Sequence, residues 1–367
     1  MFKYSNTNKR YYTLDYYYKN KFKSKVAKIN LDANFTCPNI DGTKGIGGCI
    51  YCLNGSSDFK KKVSLLEQFY ERKKIMLNKW PNSKLIGYFQ ANTNTYDTVD
   101  KLKERYELIL RQDGVIGLSI ATRADAISDD VLDYLCELNK RTYLTIELGL
   151  QTIHDKTATL INRCHTLECF DNMVGILRKN NIDVVVHIIN GLPYETKDMM
   201  LDTIRHLNTL DIQGIKIHML SIVKGTKLAR LYQDKPFKIL TKDEYIDIVC
   251  DQIELLNEDI VIHRLTGDPI KEELIEPNWL LNKIDVLNGI DKELARRNSY
   301  QGIKKSIQIN EYNFFINYSI FNDLIFLLQK SSAIHELNSI LGSTFNKTSP
   351  FSYLPISYPG LAKKIQG

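Results

Sequence analysis

Between residues 25 and 264 one pattern recurs along the chain. A short apolar, β-branched run is followed each time by a longer polar stretch with helical periodicity. The runs are 26–31, 85–90, 115–121, 143–148, 183–189, 214–220 and 260–264. The stretches between them are 63–79, 99–112, 128–140, 154–180, 197–210 and 242–258. Runs this short read as strands buried on both faces, and helix-length connections between successive strands make them parallel. The pattern predicts an α/β fold, with the sheet curled into a partial (β/α)6 barrel rather than a closed eightfold one. Chemistry in such a sheet sits at the C-terminal strand ends, and here those ends are dense in polar residues: 90–93, 122–125, 147–151, 187–191, 218–224 and 263–268. A purely structural barrel has no need of that much hydrogen-bonding capacity on one rim; a catalytic one has.

Three segments follow: a basic, tyrosine-rich arm at 1–24, a core barrel with its C-terminal helices at 25–302, and an accessory extension at 303–367. Within the core, 272–297 reads as helices anchored by Trp279; within the extension, 312–329 is aromatic at roughly helical spacing. No apolar run approaches the roughly 20 residues that cross a bilayer, so no membrane partner is expected. The opening ten residues are polar and lack the apolar stretch of a secretory signal, which makes the cytoplasm the expected location. The net charge of +6 is compatible with RNA without demanding it. Residues 3–28 hold seven Lys, one Arg and six Tyr against a single Asp. Such a stretch either contacts phosphates and stacks on bases or packs its tyrosines on the barrel, and composition leaves both open.

Seven cysteines are too sparse and uneven for a disulfide framework. Three of them share one loop, Cys37-Pro-Asn-Ile-Asp-Gly-Thr-Lys-Gly-Ile-Gly-Gly-Cys49-Ile-Tyr-Cys52. Three thiolates can bind three irons of a [4Fe–4S] cubane and leave the fourth open, whereas electron carriers normally supply four cysteines. Structural zinc is the rival, but it wants four ligands, and no further Cys or His lies within 50 residues of the loop. On that reading the protein is a zinc-stapled binding module. Cys136, Cys164, Cys169 and Cys250 are expected to pack as small hydrophobes.

The loop resembles the radical S-adenosylmethionine (radical SAM) superfamily, in the branch whose cysteines are spaced Cys-x11-Cys-x2-Cys. Further matches are Tyr88-Phe-Gln-Ala-Asn-Thr-Asn-Thr-Tyr96, Ala121-Thr-Arg-Ala-Asp125, Glu147-Leu-Gly-Leu-Gln-Thr152, Ile161-Asn-Arg-Cys-His-Thr166, His187-Ile-Ile-Asn-Gly-Leu-Pro193, Lys216-Ile-His218, Lys224-Gly-Thr226 and His263-Arg-Leu-Thr-Gly-Asp268. The branch is similar to the MnmL-type, YhcC-like bacterial relatives of the Elongator catalytic subunit. The likeness spans residues 11–302, and the tail beyond has no counterpart in it.

That resemblance implies a [4Fe–4S] cluster on Cys37, Cys49 and Cys52, and SAM bound at the open iron as the source of a 5′-deoxyadenosyl radical. It implies an electron donor such as flavodoxin or ferredoxin, and action on the carbon-5 side chain of a tRNA wobble uridine presented by the anticodon loop. Removal of the carboxymethyl group of carboxymethylaminomethyluridine, leaving aminomethyluridine, is the expected reaction. A small-molecule substrate such as a porphyrin precursor is the alternative. Tyr51 is expected against the adenine, and Gln90, Asn92 and Thr93 stand where the superfamily receives the methionine amino group. Arg163 follows Gln151 by 12 residues, a spacing that porphyrinogen-acting members use to hold SAM. A buried Glu147 needs a partner, expected to be Arg123 or SAM itself. His187 joins this cofactor set, while Lys216, His218 and Arg264 are the choice for an anionic group of the substrate.

Overall fold

The computed structural model describes residues 2–53 and 63–304. Seven parallel strands form one curled sheet in the order β1 (Val26–Leu31), β2 (Lys84–Phe89), β3 (Val115–Thr122), β4 (Tyr143–Gln151), β5 (Asp183–Asn190), β6 (Gly214–Met219) and β8 (Val261–Arg264). Each successive pair is parallel. The helices are α1 (Leu14–Phe22), α2 (Leu65–Lys79), α3 (Val99–Leu110), α4 (Asp129–Arg141), α5 (Asp155–Leu160), α6 (Leu167–Lys179), α7 (Lys197–Leu207), α8 (Lys227–Asp234), α9 (Lys242–Leu255) and α10 (Lys283–Arg296). A two-residue strand β7 (Ile222–Val223) pairs antiparallel with β9 (Leu274–Glu276). This is the half-barrel that the strand–helix alternation predicts.

Alternate strand residues go to opposite faces. Ile29, Leu31, Phe89, Leu118, Ile120, Ile146, Leu148, Val186, Ile188, Ile215 and Ile217 pack with the outer helices in one continuous core. The other set turns into the lumen, apolar near the N-terminal end (Val26, Ile86) and polar beyond it (Lys28, Ser119, Glu147, His187, Lys216). At the N-terminal end the lumen is plugged by α1, whose Tyr18 packs with Val26 and Ile86 beside Phe22 and Tyr143. The segment before α1 lies along the exposed edge of β8: Ile262 donates its amide to the Tyr12 carbonyl at 2.8 Å.

The tyrosines of the N-terminal arm are therefore engaged inside the fold. Tyr11 and Tyr18 are buried, Tyr4 stacks on Tyr12 with ring centroids 4.4 Å apart, and Tyr12 meets Tyr16 and Tyr17 edge-on. Five lysines of residues 3–28 are paired as well: Lys3 with Glu258, Lys9 with Asp291, Lys19 and Lys25 with Asp15, and Lys21 with Asp183. Of the two readings open from composition, packing on the barrel is the one these contacts support.

Two details depart from expectation. The stretch 154–180 is two helices, because Asn162 and Cys164 adopt left-handed backbone (φ +56° and +61°) and break it at a tight turn. The region 272–297 contains β9 and a short 3-10 turn, Asn278–Leu281, besides α10. Trp279 is the anchor expected there: its indole donates to the Leu240 carbonyl at 3.0 Å and its ring lies on Tyr245. The extension, including 312–329, lies outside the described residues apart from its first two positions.

Candidate active site

The cysteine loop is folded by its own backbone and clamped from two sides. Ile40 and Asp41 donate to the Cys37 carbonyl, Lys44 and Gly45 to Pro38, Gly48 to Asn39, and Cys52 to Cys49. On one side Asn162, in the turn between α5 and α6, donates its side-chain amide to the Gly48 carbonyl at 2.8 Å, and Ile50 donates to Ile161. On the other, Leu228 at the start of α8 donates to Ile50 at 2.8 Å. Asn39 is fully buried beneath the loop, with its Nδ2 2.6 Å from the Asn162 carbonyl and 3.5 Å from Cys49 Sγ. Gly45 is obligatory, since a Cβ there would stand 2.1 Å from Asn39 Oδ1.

Arg163 sits in the same turn, neither on a helix surface nor free. It is 1% exposed; its Nη1 donates to the carbonyls of Leu150 (2.8 Å) and Thr152 (2.5 Å), which flank Gln151, and its Nε to His165. Gln151 (φ +64°) turns its amide back onto Leu150 and Gly149. The structure thus brings Gln151 and Arg163 together at the end of β4. Arg163 Nη2 is buried with no partner among the described residues, as is Asn39 Oδ1. Asn92 and Thr93 brace the approach to Cys37: Asn92 Nδ2 donates to Phe35 at 2.9 Å and the Thr93 amide to Thr36 at 3.2 Å. Gln90, just past β2, donates its amide to Leu31 at 3.3 Å. Tyr51 stands beside Cys49 and Cys52, where burial raises its phenol pKa well above the usual value.

Three expectations need correcting. Arg123 does not pair with Glu147, because it is held bidentate by Asp125 at 2.8 and 2.9 Å. Cys164 is not packed in the core; the left-handed turn leaves it exposed against Gly45, with its Sγ 3.2 Å from Asn162 Oδ1. Lys28, counted from composition among the cations of the basic stretch 3–28, points into the barrel.

The lumen is built around Glu147, whose side chain is inaccessible to solvent. Its Oε1 accepts from Lys28 Nζ (2.7 Å) and Ser119 Oγ (2.6 Å); its Oε2 lies 2.5 Å from Lys216 Nζ and 2.7 Å from His187 Nε2. Lys216 also donates to Tyr88 Oη at 2.9 Å and lies over that ring. His187 and His218 face each other at 5.3 Å. Arg264, at the edge, pairs with Asp268 at 2.8 Å.

One carboxylate shared by two ammonium groups explains the protonation pattern. Burial opposes the Glu147 charge, but Lys216, Lys28 and His187 outweigh it and hold the carboxyl well below its usual range. Burial likewise opposes the Lys28 charge, and Glu147 keeps it ionised. For Lys216, burial wins: with Glu147 already shared and Lys28 and Arg264 nearby, its pKa falls to about 7. Burial and Lys216 take His187 to about 4, and burial with the surrounding cations keeps His218 and His263 neutral. Among the described residues, His218 Nε2 and His263 Nδ1 are shielded from solvent without partners. Sequence reasoning missed Lys28, Tyr88 and Ser119. The available signal was a polar residue at every second position of otherwise apolar strands.

Among the described residues no three His, Cys, Asp or Glu side chains form a site for a single metal ion. A cubane is different, since each of its thiolates binds a different iron. The family model described as the Radical SAM superfamily matches residues 44–207, and that of the Radical_SAM C-terminal domain matches 212–296. The protein YtqA of Bacillus subtilis is 50% identical over 304 residues, covering 82% of this chain and 94% of its own. YhcC of Escherichia coli is 32% identical over 277 residues, covering 75% and 89%. The chain belongs to the radical SAM superfamily. A more distant likeness, 23% over 156 residues, is to a tRNA uridine(34) acetyltransferase of Methanocaldococcus infernus, covering 42% of this chain and 29% of that one. Among solved structures, the archaeal Elp3 of the same organism matches with a TM-score of 0.58 at 16% identity, over 76% of this chain and 64% of its own, a likeness of fold. Radical SAM membership implies a [4Fe–4S] cluster and SAM. The residues present fit both: a three-cysteine loop around a buried amide, next to an arginine with an unused donor.

Proposed function

We propose that this radical SAM enzyme acts on the carbon-5 side chain of a tRNA wobble uridine, converting carboxymethylaminomethyluridine to aminomethyluridine, with water supplying oxygen, SAM taking up the two electrons, and the two carboxymethyl carbons leaving as glyoxylate. The observation that carries the reading is the lumen, where one buried carboxylate, Glu147, is shared between two ammonium groups, Lys28 and Lys216, at the floor of the barrel. A substrate that brings its own carboxylate would complete that balance. The likeness to a tRNA uridine(34) acetyltransferase supports the choice of nucleotide. A single-stranded anticodon loop can present a base to a barrel mouth without breaking a duplex.

Cys37, Cys49 and Cys52 would hold the cluster, and Asn39 would donate to the Cys49 sulfur. Arg163 Nη2 suits the SAM carboxylate, Gln151 its ribose, and Tyr51 its adenine. Gln90, Asn92 and Thr93 would shape the pocket for the methionine amino group. When bound, the cluster and SAM supply a primary carbon radical that removes a hydrogen atom from the substrate. Lys216, His218 and Arg264 would orient the substrate carboxylate, while Glu147 and His187 hold Lys216 in place. The reductant would be a flavodoxin or ferredoxin, and the setting the cytoplasm; no described helix is long and apolar enough to cross a membrane.

Nucleoside mass spectrometry of tRNA from a strain lacking the protein tests the reading. Carboxymethylaminomethyluridine should accumulate at the expense of its aminomethyl products. An unchanged nucleoside profile would refute it.

A further inference from the structure

Helix α8 joins the cysteine loop to the rim turn after β5. At its N-terminal end, Lys227 lies over the loop, its Nζ 2.4 Å from where a Cβ on Gly47 would be. Beyond its C-terminal end, Lys235 lies over the ring of Tyr194 at 5.6 Å, and Phe237 connects Tyr194 (6.3 Å) to Tyr232 (5.3 Å). The eight residues of α8 span about 12 Å. Leu228 and Ala229 are buried, which leaves Lys227 and Arg230 on the outer face. Residues 224–238 contain five basic side chains and one acid, Asp234. Lys238 is paired with Glu244, and Lys224 donates to the Glu272 carbonyl. Lys227, Arg230 and Lys235 have no ion-pair partner among the described residues.

Tyr194 is the second observation. It is 55% exposed in a left-handed backbone conformation (φ +67°) that a bulky residue rarely adopts. The turn presents a flat ring, with a cation over it, to solvent at the C-terminal rim of the sheet. An exposed aromatic platform next to unpaired cations matches single-stranded nucleic acid, where bases stack and phosphates are neutralised.

We propose that α8 and Tyr194 form the docking strip for the single-stranded loop of the substrate RNA. Arg230 and Lys235 take its phosphates, and Tyr194 stacks one of its bases. The inference rests on the tRNA reading above and adds to it the surface that receives the RNA. An acidic electron-carrier protein is the competing occupant: it has the complementary charge but no use for the aromatic platform.

The test uses the full chain with its cluster and an anticodon stem-loop RNA with a wobble uridine, titrated by fluorescence anisotropy over a series of salt concentrations. The double variant Arg230→Glu/Lys235→Glu should raise Kd more than about tenfold and reduce the slope of log K against log salt by about 1 to 2. Tyr194→Ala should raise Kd about fivefold or more with the slope unchanged, since it removes stacking and no charge. Dithionite-driven SAM cleavage without RNA should stay within about twofold of wild type in both variants, which establishes that they are folded. Wild-type Kd and slope in the folded double variant would overturn the strip alone. So would retained RNA binding with lost flavodoxin-driven reduction, which would assign the surface to the reductant. A wild-type protein that binds no RNA would overturn the substrate reading and the strip together.

Discussion

The cysteine loop and the barrel lumen are adjacent and built on opposite principles. The loop is a backbone structure: most of its hydrogen bonds run between peptide groups, its tip residue Ile46 is 81% exposed, and two asparagine side chains, Asn39 and Asn162, tie it to the turn between α5 and α6. The lumen is a side-chain structure, in which Lys28, Ser119, His187 and Lys216 from four strands converge on Glu147. The thiolates of the loop should be replaceable with little consequence for the fold. In the lumen, each charged group is a partner that another buried charge depends on.

The largest expected effect lies in the loop. Alanine at Cys37, Cys49 or Cys52 should abolish reductive SAM cleavage and the visible absorbance of thiolate-ligated iron, while the urea midpoint of the cluster-free protein barely moves. Cys136→Ala, Cys164→Ala, Cys169→Ala and Cys250→Ala should all retain iron. Cys164 is the sharpest control of the four, because it touches the loop at Gly45. Cleavage by a variant lacking all three loop cysteines would end the assignment.

The next effect is in the lumen and has the opposite character. Glu147→Gln strands Lys28 and Lys216 without a counter-charge, and should cost about 3–5 kcal/mol in urea unfolding. A loss below about 1 kcal/mol would show that the lumen is wet and the contrast drawn here is false.

Arg163 joins the turn that clamps the loop to the end of β4. Arg163→Ala leaves the Leu150, Thr152 and His165 carbonyls without their donor, so a loss of about 1–3 kcal/mol is expected. SAM affinity by calorimetry should fall as well, with iron content unchanged. Lower stability with full SAM affinity would confine Arg163 to bracing the turn.

Per unit of pH the smallest effect is the dependence from Lys216, at most about 1.4 kcal/mol. Its pKa is about 7 in the fold against the usual 10.5, so between those values the unfolded chain binds a proton that the folded one does not. Stability from this residue should fall as pH drops from about 10 towards 7 and level off below. Lys216→Met should flatten that part of the urea-midpoint profile, and an unaltered slope would mean Lys216 stays charged throughout.

Much of this was legible in the sequence. All seven strands of the barrel begin or end within a few residues of the apolar runs that announce them, because burial on both faces demands such runs. The three cysteines are marked by spacing alone. The break at Asn162 and Cys164 was not legible, since left-handed backbone there is imposed by the loop it clamps and no glycine signals it. Two basic, tyrosine-bearing stretches look alike in composition, yet five lysines at 3–25 are taken up by Asp15, Asp183, Glu258 and Asp291 while Lys227, Arg230 and Lys235 have no ion pair among the described residues.

By itself, then, the sequence determined what is local: strand and helix order, the parallel sheet, the thiolate set and the glycines that let the loop close. Tertiary structure alone decided the partners of Glu147. Lys28, Lys216 and His187 lie 119, 69 and 40 residues from it and meet it only because the curl of the parallel sheet turns their strands toward one another across the lumen. A side chain's charge is written in the sequence. Whether it is solvated, paired or stranded depends on which distant groups the fold places within a few ångströms of it, and that distance sets the balance between desolvation and Coulomb attraction.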